Sequence, residues 1–320
     1  MHRYDAWRLG CVAAGASTLT VSACAQQAPS QPAADPTVDF VLVTTVLPKS
    51  RTQIIHGQQV DVKSRFWNTV VVTPVIGASG TVRPVDERCT GALVGPVVVL
   101  LAAHCLDQRD PKGELRAAYL SVDKERVRMT CALQPAYLDP PDAGAPAPRR
   151  SEDVALCFAK LDEPHPAIAQ MKFENIDVRP VKRGDPVLLT GYGCTDIQSP
   201  TVMNQTLAIG DTEIGYAPDG AGSMGNYSII TATETDRPAL CPGDSGGPLI
   251  TGATTSHQDV PRSVRGVNST FQHGGPGYLS RVAMLSSPQF AGWAKTWVSG
   301  FSGAYICGLS DPSVATSCRP

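Results

Sequence analysis

The segment ALCPGDSGGPLI, residues 239–250, sets Ser245 among three glycines, two prolines and an aspartate. A serine hydroxyl is a poor nucleophile near neutral pH unless a base takes its proton. Glycines on both sides allow a turn that exposes the oxygen and lets backbone N–H groups converge on a developing oxyanion. The candidate bases are His104, His165, His257 and His273. His165, in EPHPA, is clamped by prolines and reads as a loop residue. His104 ends the apolar run LLAAHC beside Cys105, which places an imidazole at the rim of a core. Alone, it would be a structural histidine at a strand end. Asp153 opens DVALCFAKL, whose apolar residues would half-bury it. A carboxylate so placed needs a hydrogen-bond donor, and an imidazole N–H is one. Serine, histidine and aspartate together can carry out acyl transfer.

These side chains need rigid elements to hold them. The chain has 320 residues, enough for one large domain or two lobes that share a core. Hydrophobic residues make up 42% and charged residues 18%, the balance of a globular protein. The net charge of −2 gives no reason to expect nucleic acid or an anionic membrane surface as a partner. Twenty-nine glycines and 27 prolines favour short strands joined by turns over long helices. From Ile54 onward the chain reads as such runs: WNTVVVTPVI, CTGALVGPVVVLLAAHC, DVALCFAKL, DPVLLTGYG, YSIITAT, GGPLIT and SVRGVNST. This spacing predicts an all-β barrel or sandwich. One helix stands out, SPQFAGWAKTWVSG, with Phe290, Trp293, Ala294 and Trp297 on one apolar face for docking on a core. LDPPDAGAPAPRRSED, just before the acid, is a proline-rich loop placed to shape a cleft.

The amino terminus has the layout of an export signal. His2, Arg3 and Arg8 precede LGCVAAGASTLTV, which is too short to span a bilayer. Two readings of its end remain open. VSAC resembles a lipobox, in which Cys24 becomes the lipidated first residue; cleavage after Ala25 releases the chain instead. Residues 25–37 form a polar, proline-rich tether, and VDFVLVTTVLP a strand-forming pro-segment. Of ten cysteines, Cys11 and Cys24 belong to the signal, which leaves an even eight for disulfides outside the cytosol. Neither C-x-x-C nor H-E-x-x-H occurs, so no metal site and no cofactor are expected. The sequons at Asn204, Asn226 and Asn268 would be silent in a bacterium.

LAAHC, DVAL and GDSGGPL look like the three signature segments of the trypsin/chymotrypsin-like serine proteases, in that family's order of His104, Asp153 and Ser245. CTGAL resembles the family's strand before the histidine. QPAYL lies at its His-Pro-x-Tyr segment and TGYG at its Thr-Gly-Trp-Gly. GVNST resembles the substrate-pairing strand, and PGYLSRV the strand that closes the specificity pocket. The resemblance runs from Ile54 to the terminal helix. It implies two six-stranded antiparallel β-barrels with a C-terminal α-helix. The implied domains are a signal at 1–24, tether and pro-segment at 25–53, protease at 54–299 and a tail at 300–320.

The resemblance also implies roles. His104 is the base, Asp153 orients it and Ser245 is the nucleophile, with an oxyanion hole made by the N–H groups of Gly243 and Ser245. Gly246 and Gly247 keep side chains clear of an incoming substrate backbone. The pocket is assigned to Ala239, Leu240, Ser269, Phe271 and Gly277; its floor, six residues before the nucleophile, is the uncharged Ala239, which fits an apolar or small residue. QIIHGQ resembles the activation site, where cleavage after Gln53 would free the Ile54 amino group to pair with Asp244; His56 replaces a usual glycine. Cys89–Cys105 is the implied bridge at His104. Cys131–Cys157 is expected between neighbouring strands. The usual partner of Cys241 is missing between Ser269 and Pro276, so Cys194 in GYGCTD is expected to take it, leaving Cys307–Cys318. The expected protein is an extracytoplasmic monomer, secreted or lipid-anchored, acting on protein or peptide substrates. The alternative is a catalytically silent homologue that binds or regulates. GDSGG also fits the G-x-S-x-G elbow of α/β-hydrolases, with Asp259 and His273 following. That elbow needs a helix after the serine, whereas GGPLITG reads as a strand.

Overall fold

The computed structural model describes residues 37–40, 54–55, 57–60, 69–76, 83–84, 89–107, 117–122, 125–138, 150–159, 172–194, 206–218, 226–233, 237–274 and 277–319. All fall in the unit Asp35–Pro320. The signal segment, Gln53, His56, His165, Asn204 and residues 139–149 of the proline-rich loop lie outside the described residues.

Two sheets make the body of this unit. Strands β1 (Thr37–Phe40), β3 (Thr69–Ile76), β4 (Arg83–Pro84), β5 (Cys89–Gly95), β6 (Val98–Leu101), β7 (Ala117–Val122), β8 (Glu125–Leu133) and β9 (Ala155–Ala159) belong to the first. Its order runs β8-β7-β3-β5-β6-β9, and pairing of β8 with β9 closes six strands on themselves, with β1 and β4 added outside. Closure leaves no free edge among those six. The second sheet contains β2 (Gln58–Gln59), β10 (Asn175–Ile176), β11 (Pro186–Gly191), β12 (Ala208–Glu213), β13 (Tyr227–Thr233), β14 (Pro248–Thr251), β15 (Ser263–Gly274) and β16 (Gly277–Met284). Its order is β13-β16-β15-β14-β11-β12-β2, and a bridge between Tyr216 and Ile229 brings the chain after β12 back to β13. The pairings are antiparallel apart from the short β10–β15 contact. This is the double-barrel, all-β architecture with a C-terminal helix, Phe290–Ser299.

β5 is buried at every position, where a strand with one wet face would alternate. Its inner face lines the barrel, and its end lies under the tail: a Cβ at Gly95 would fall 1.8 Å from the Tyr305 carbonyl oxygen. Leu93, Leu100, Leu101 and Leu156 are fully buried in the first barrel; Leu188, Leu189, Leu249 and Ile250 are in the second. Each such side chain contributes about 1.5–3 kcal/mol relative to exposure. Phe290, Ala294 and Val298 of the terminal helix are buried, while Trp293 and Trp297 pack on the core from partly covered positions. The inward stripe is therefore centred on Phe290, Ala294 and Val298 rather than on the tryptophans.

The tail beyond the helix ties the back of the molecule. Cys307 donates its N–H to the Val94 carbonyl (2.8 Å) and accepts from Ile176 (2.9 Å). Arg262 Nε reaches both Glu174 oxygens at 3.0 Å, and both side chains are wholly buried. Buried charges need such partners, and the Gln258 carbonyl, which accepts from Arg262 at 2.7 Å, and Arg319, 3.4 Å from Glu174, add to the pair.

Candidate active site

Strand register brings His104 and Asp153 together. β6 and β9 pair antiparallel with Leu101 opposite Ala155, so the residues after 101 and before 155 emerge at the same end of the barrel. His104 sits there on the 3-10 turn Ala103–Cys105, and a Cys89–Cys105 disulfide ties that turn to β5. The His104 backbone N–H donates to Asp153 Oδ1 at 2.7 Å, and its ring Nδ1 lies 2.6 Å from Oδ2. Asp153 is 1% exposed. Burial alone would raise its carboxyl pKa; the charge and hydrogen bond of His104, the Ser269 hydroxyl and the His104 amide outweigh this and hold it below the ordinary value. An ionised carboxylate only accepts, so the proton sits on Nδ1, and Nε2 of the neutral ring carries the lone pair.

The second barrel supplies Ser245. It lies between two glycines at positive φ, Gly243 (97°) and Gly246 (87°), in the turn leading into β14. The strand after the serine leaves no helix for the hydrolase elbow, and Asp259 and His257 lie on an exposed loop. Ser245 donates its hydroxyl to the Ser269 carbonyl at 3.2 Å. Its own carbonyl accepts from Thr90 N–H in the first barrel at 2.7 Å, and Thr90 Oγ1 donates to the Gly243 carbonyl at 2.7 Å. Among the described residues the N–H groups of Gly243 and Ser245 have no acceptor. The room at Gly246 and Gly247 is used differently from the expectation. A Cβ on Gly246 would meet the Thr90 carbonyl oxygen at 2.1 Å, and one on Gly247 the Thr190 oxygen at 2.2 Å. The protein's own backbone fills that space, which draws the serine turn against both barrels.

Ser269 was expected in the pocket wall, yet its hydroxyl faces the acid. A bulge between Asn268 and Thr270 leaves it out of register with β16, and such an irregularity re-aims a side chain. Ser269 Oγ donates to Asp153 Oδ2 at 2.5 Å, and Tyr227 OH lies 3.1 Å from Ser269 Oγ. Nothing in a single sequence marks the bulge, and Tyr227 reads only as the start of an apolar strand. Ala239 and Leu240 are buried; Ala239 pairs with Ile55 and Leu240 donates its N–H to Ser280 Oγ at 3.0 Å. Phe271 and Gly277 are partly covered, on the β15–β16 hairpin.

Asp244, beside the serine, is fully buried. Its Oδ1 accepts from Gly193 N–H and its Oδ2 from Cys241 N–H, each at 2.8 Å. Among the described residues no cation pairs with it. Burial pushes its pKa up to about 7 against the pull of those two amides. Ile54 is buried in the second barrel with φ of 48°, and Ile55 exchanges two backbone hydrogen bonds with Ala239, both 3.1 Å. The remaining disulfides are Cys131–Cys157, Cys194–Cys241 and Cys307–Cys318. Cys89, His104 and Cys105 lie close enough to suggest a metal site, but both sulfurs belong to one disulfide and offer no thiolate. Asn226 and Asn268, the described sequon residues, donate their side-chain amides to the carbonyls of Met284 and Thr190.

Two β-barrels followed by a C-terminal helix are the trypsin-like class of fold, with a buried aspartate bound to histidine on one barrel and a serine in a glycine-containing turn on the other. The trypsin family model matches residues 74–293, and the chain belongs to that family. Human granzyme M is 28% identical to it over 211 residues, 63% of this chain and 74% of the relative. A solved structure of neuropsin, a serine protease expressed in the limbic system of mouse brain, aligns with a TM-score of 0.49 and 18% identity, covering 77% of this chain and 99% of that one.

Proposed function

We propose that the chain is an extracytoplasmic serine endopeptidase of bacterial type that cleaves peptide bonds through an acyl-enzyme. The observation that carries this reading is the His104–Asp153 pair, 2.6 Å between Nδ1 and Oδ2, together with Ser269, which accepts from Ser245 and donates to the same aspartate. Ser245 Oγ attacks the scissile carbonyl carbon while His104 Nε2 takes its proton. The resulting oxyanion takes hydrogen bonds from the N–H groups of Gly243 and Ser245. As the C–N bond breaks, His104 passes its proton to the departing amine. Water, deprotonated by the same ring, then adds to the acyl carbon, and the Ser245 oxygen leaves with the proton that the ring returns. Asp153 stays ionised throughout and stabilises the imidazolium.

Activation fits Asp244, whose hydrogen-bond partners among the described residues are two backbone amides. Cleavage after Gln53 would create an ammonium at Ile54 and give the buried carboxylate the cation it lacks among the described residues. It would also remove the φ constraint at Ile54, a conformation that is strained for a β-branched residue. Ala239 at the pocket floor has no charge to pair with Arg or Lys, so the residue before the scissile bond is apolar or small. Eight cysteines in four disulfides accord with an oxidising compartment. The chain reaches it as a free or lipid-anchored monomer.

A fluorophosphonate probe tests the reading. Processed protein should be labelled at Ser245 and should hydrolyse a peptide library after apolar or small residues; Ser245→Ala should do neither. A correctly folded, processed protein that resists the probe would be the silent homologue, and preferred cleavage after Arg or Lys would sink the pocket assignment.

A further inference from the structure

Beyond His104, Asp153, Ser245 and Ser269, one more side chain of the second barrel is aligned with the group. Tyr227 opens β13 and is held there in register with Ala283 of β16. The neighbouring backbone is tied down as well: Asn226 donates its side-chain amide to the Met284 carbonyl and accepts from the Met284 N–H at 3.2 Å. The Tyr227 side chain is buried, 7% exposed, and its hydroxyl lies 3.1 Å from Ser269 Oγ. Ser269 has one hydroxyl proton, and that proton goes to Asp153 Oδ2 at 2.5 Å. Its oxygen can therefore only accept from Tyr227, so the tyrosine is the donor. Every proton in the row Tyr227, Ser269, Asp153 points toward the carboxylate, which faces His104 Nδ1 at 2.6 Å on the other side.

We propose that Tyr227 is a positioning residue: its hydroxyl fixes the rotation of Ser269, and through it the orientation of the Asp153 carboxylate toward His104. The inference rests on the peptidase reading only for its kinetic consequence. The mechanism is a sequence of hydrogen bonds that polarise one another. A hydroxyl that accepts a bond becomes a better donor, and in a dry site the gain is not diluted by water. Without the tyrosine proton, the Ser269 hydroxyl loses the partner that selects one of its rotamers. Asp153 Oδ2 would then swing more freely, and the plane of the imidazole with it. The bulge at Ser269 has the same effect in the backbone, since it turns the side chain out of the sheet register toward the aspartate.

Tyr227→Phe removes the oxygen and keeps the ring, so the core stays filled. The first readout is the low-field proton resonance of the His104 Nδ1–H···Asp153 bond, which reports that bond whether or not the protein turns over. It should move in Tyr227→Phe. In processed enzyme kcat should fall about three- to tenfold with KM unchanged, the value of roughly one net hydrogen bond. In a Ser269→Ala background, which keeps the Ser269 backbone carbonyl, Tyr227→Phe should cost nothing more, because the tyrosine acts through the serine. A resonance that stays in place, or losses that multiply in the double variant, would overturn the proposal. If the resonance moves while the parent enzyme shows no turnover, the positioning role stands and the peptidase reading falls.

Discussion

Gly193 and Asp244 fit each other so closely that no side chain can stand between them. The Gly193 N–H meets Asp244 Oδ1 at 2.8 Å, and a Cβ at 193 would lie 2.5 Å from the carboxyl carbon and 2.6–2.7 Å from its oxygens. The second glycine of TGYG is thus part of the cavity that holds an aspartate next to Ser245. Gly193→Ala should lower stability by about 1–3 kcal/mol, the range for forcing an extra methyl into a packed site. Urea unfolding would show it; an unchanged midpoint would mean that the carboxylate has room to move.

Asp244 makes the stability of the unprocessed chain depend on pH. Its pKa is about 7 folded and 3.8 unfolded. Below 3.8 both states hold the proton. Between 3.8 and 7 the folded state keeps a proton that the unfolded state has lost, so stability falls as pH rises and then levels off above 7. The effect is on the order of a few kcal/mol. Asp244→Asn should flatten this slope in urea titrations from pH 4.5 to 8. Equal slopes in parent and variant would place the group outside the titration.

Asp153 titrates the other way. Its folded pKa is lowered, so its contribution is present above the unfolded value and is lost as pH falls through the folded one. Its larger role is in choosing the tautomer. Asp153→Asn would turn a donor toward His104 Nδ1 and drive the ring proton to Nε2, where it blocks the base. Turnover should drop by about 10⁴ with the fold intact. A loss below tenfold in peptide hydrolysis would show that His104 does not depend on this residue.

Gly246 is a position where space and backbone agree. Its φ is 87°, and the added methyl of Gly246→Ala would lie 2.1 Å from the Thr90 oxygen and 3.1 Å from the Ala102 nitrogen. The serine turn would have to retreat from β5 and from Ala102, which follows β6. Loss of probe labelling at Ser245 is expected even in preparations that still fold, together with a fall in stability of more than about 2 kcal/mol. Wild-type labelling kinetics in the alanine variant would contradict this close approach.

Breaking the Cys194–Cys241 disulfide should loosen the same turn. It spans 47 positions, and its removal by a Cys194→Ala/Cys241→Ala double change should cost about 2–4 kcal/mol. Cys194 N–H also bonds to the Pro242 carbonyl at 2.9 Å, so activity should fall along with the thermal midpoint. A midpoint equal to that of the parent would show that hydrogen bonds alone hold the two loops together.

Residue order was enough to mark out an all-β body with one terminal helix, because strand-forming runs, turn residues and that helix are local properties; the double barrel followed from the family resemblance of the signature segments. YSIITAT is strand β13 from end to end, and GGPLIT contains β14. His104, Asp153 and Ser245 could be singled out because each sits in a short segment whose neighbours constrain it. Long-range register lay beyond such reasoning. Only the pairing of Leu101 with Ala155 brings histidine and aspartate to one barrel end, and only the bulge near Ser269 turns its hydroxyl from the pocket to the acid. Tyr227 looked like any strand residue until packing put its hydroxyl beside that serine. A sequence fixes chemical types and local conformation; which distant groups share a proton is set by register and close packing, and one residue of slippage would reverse the face they point to.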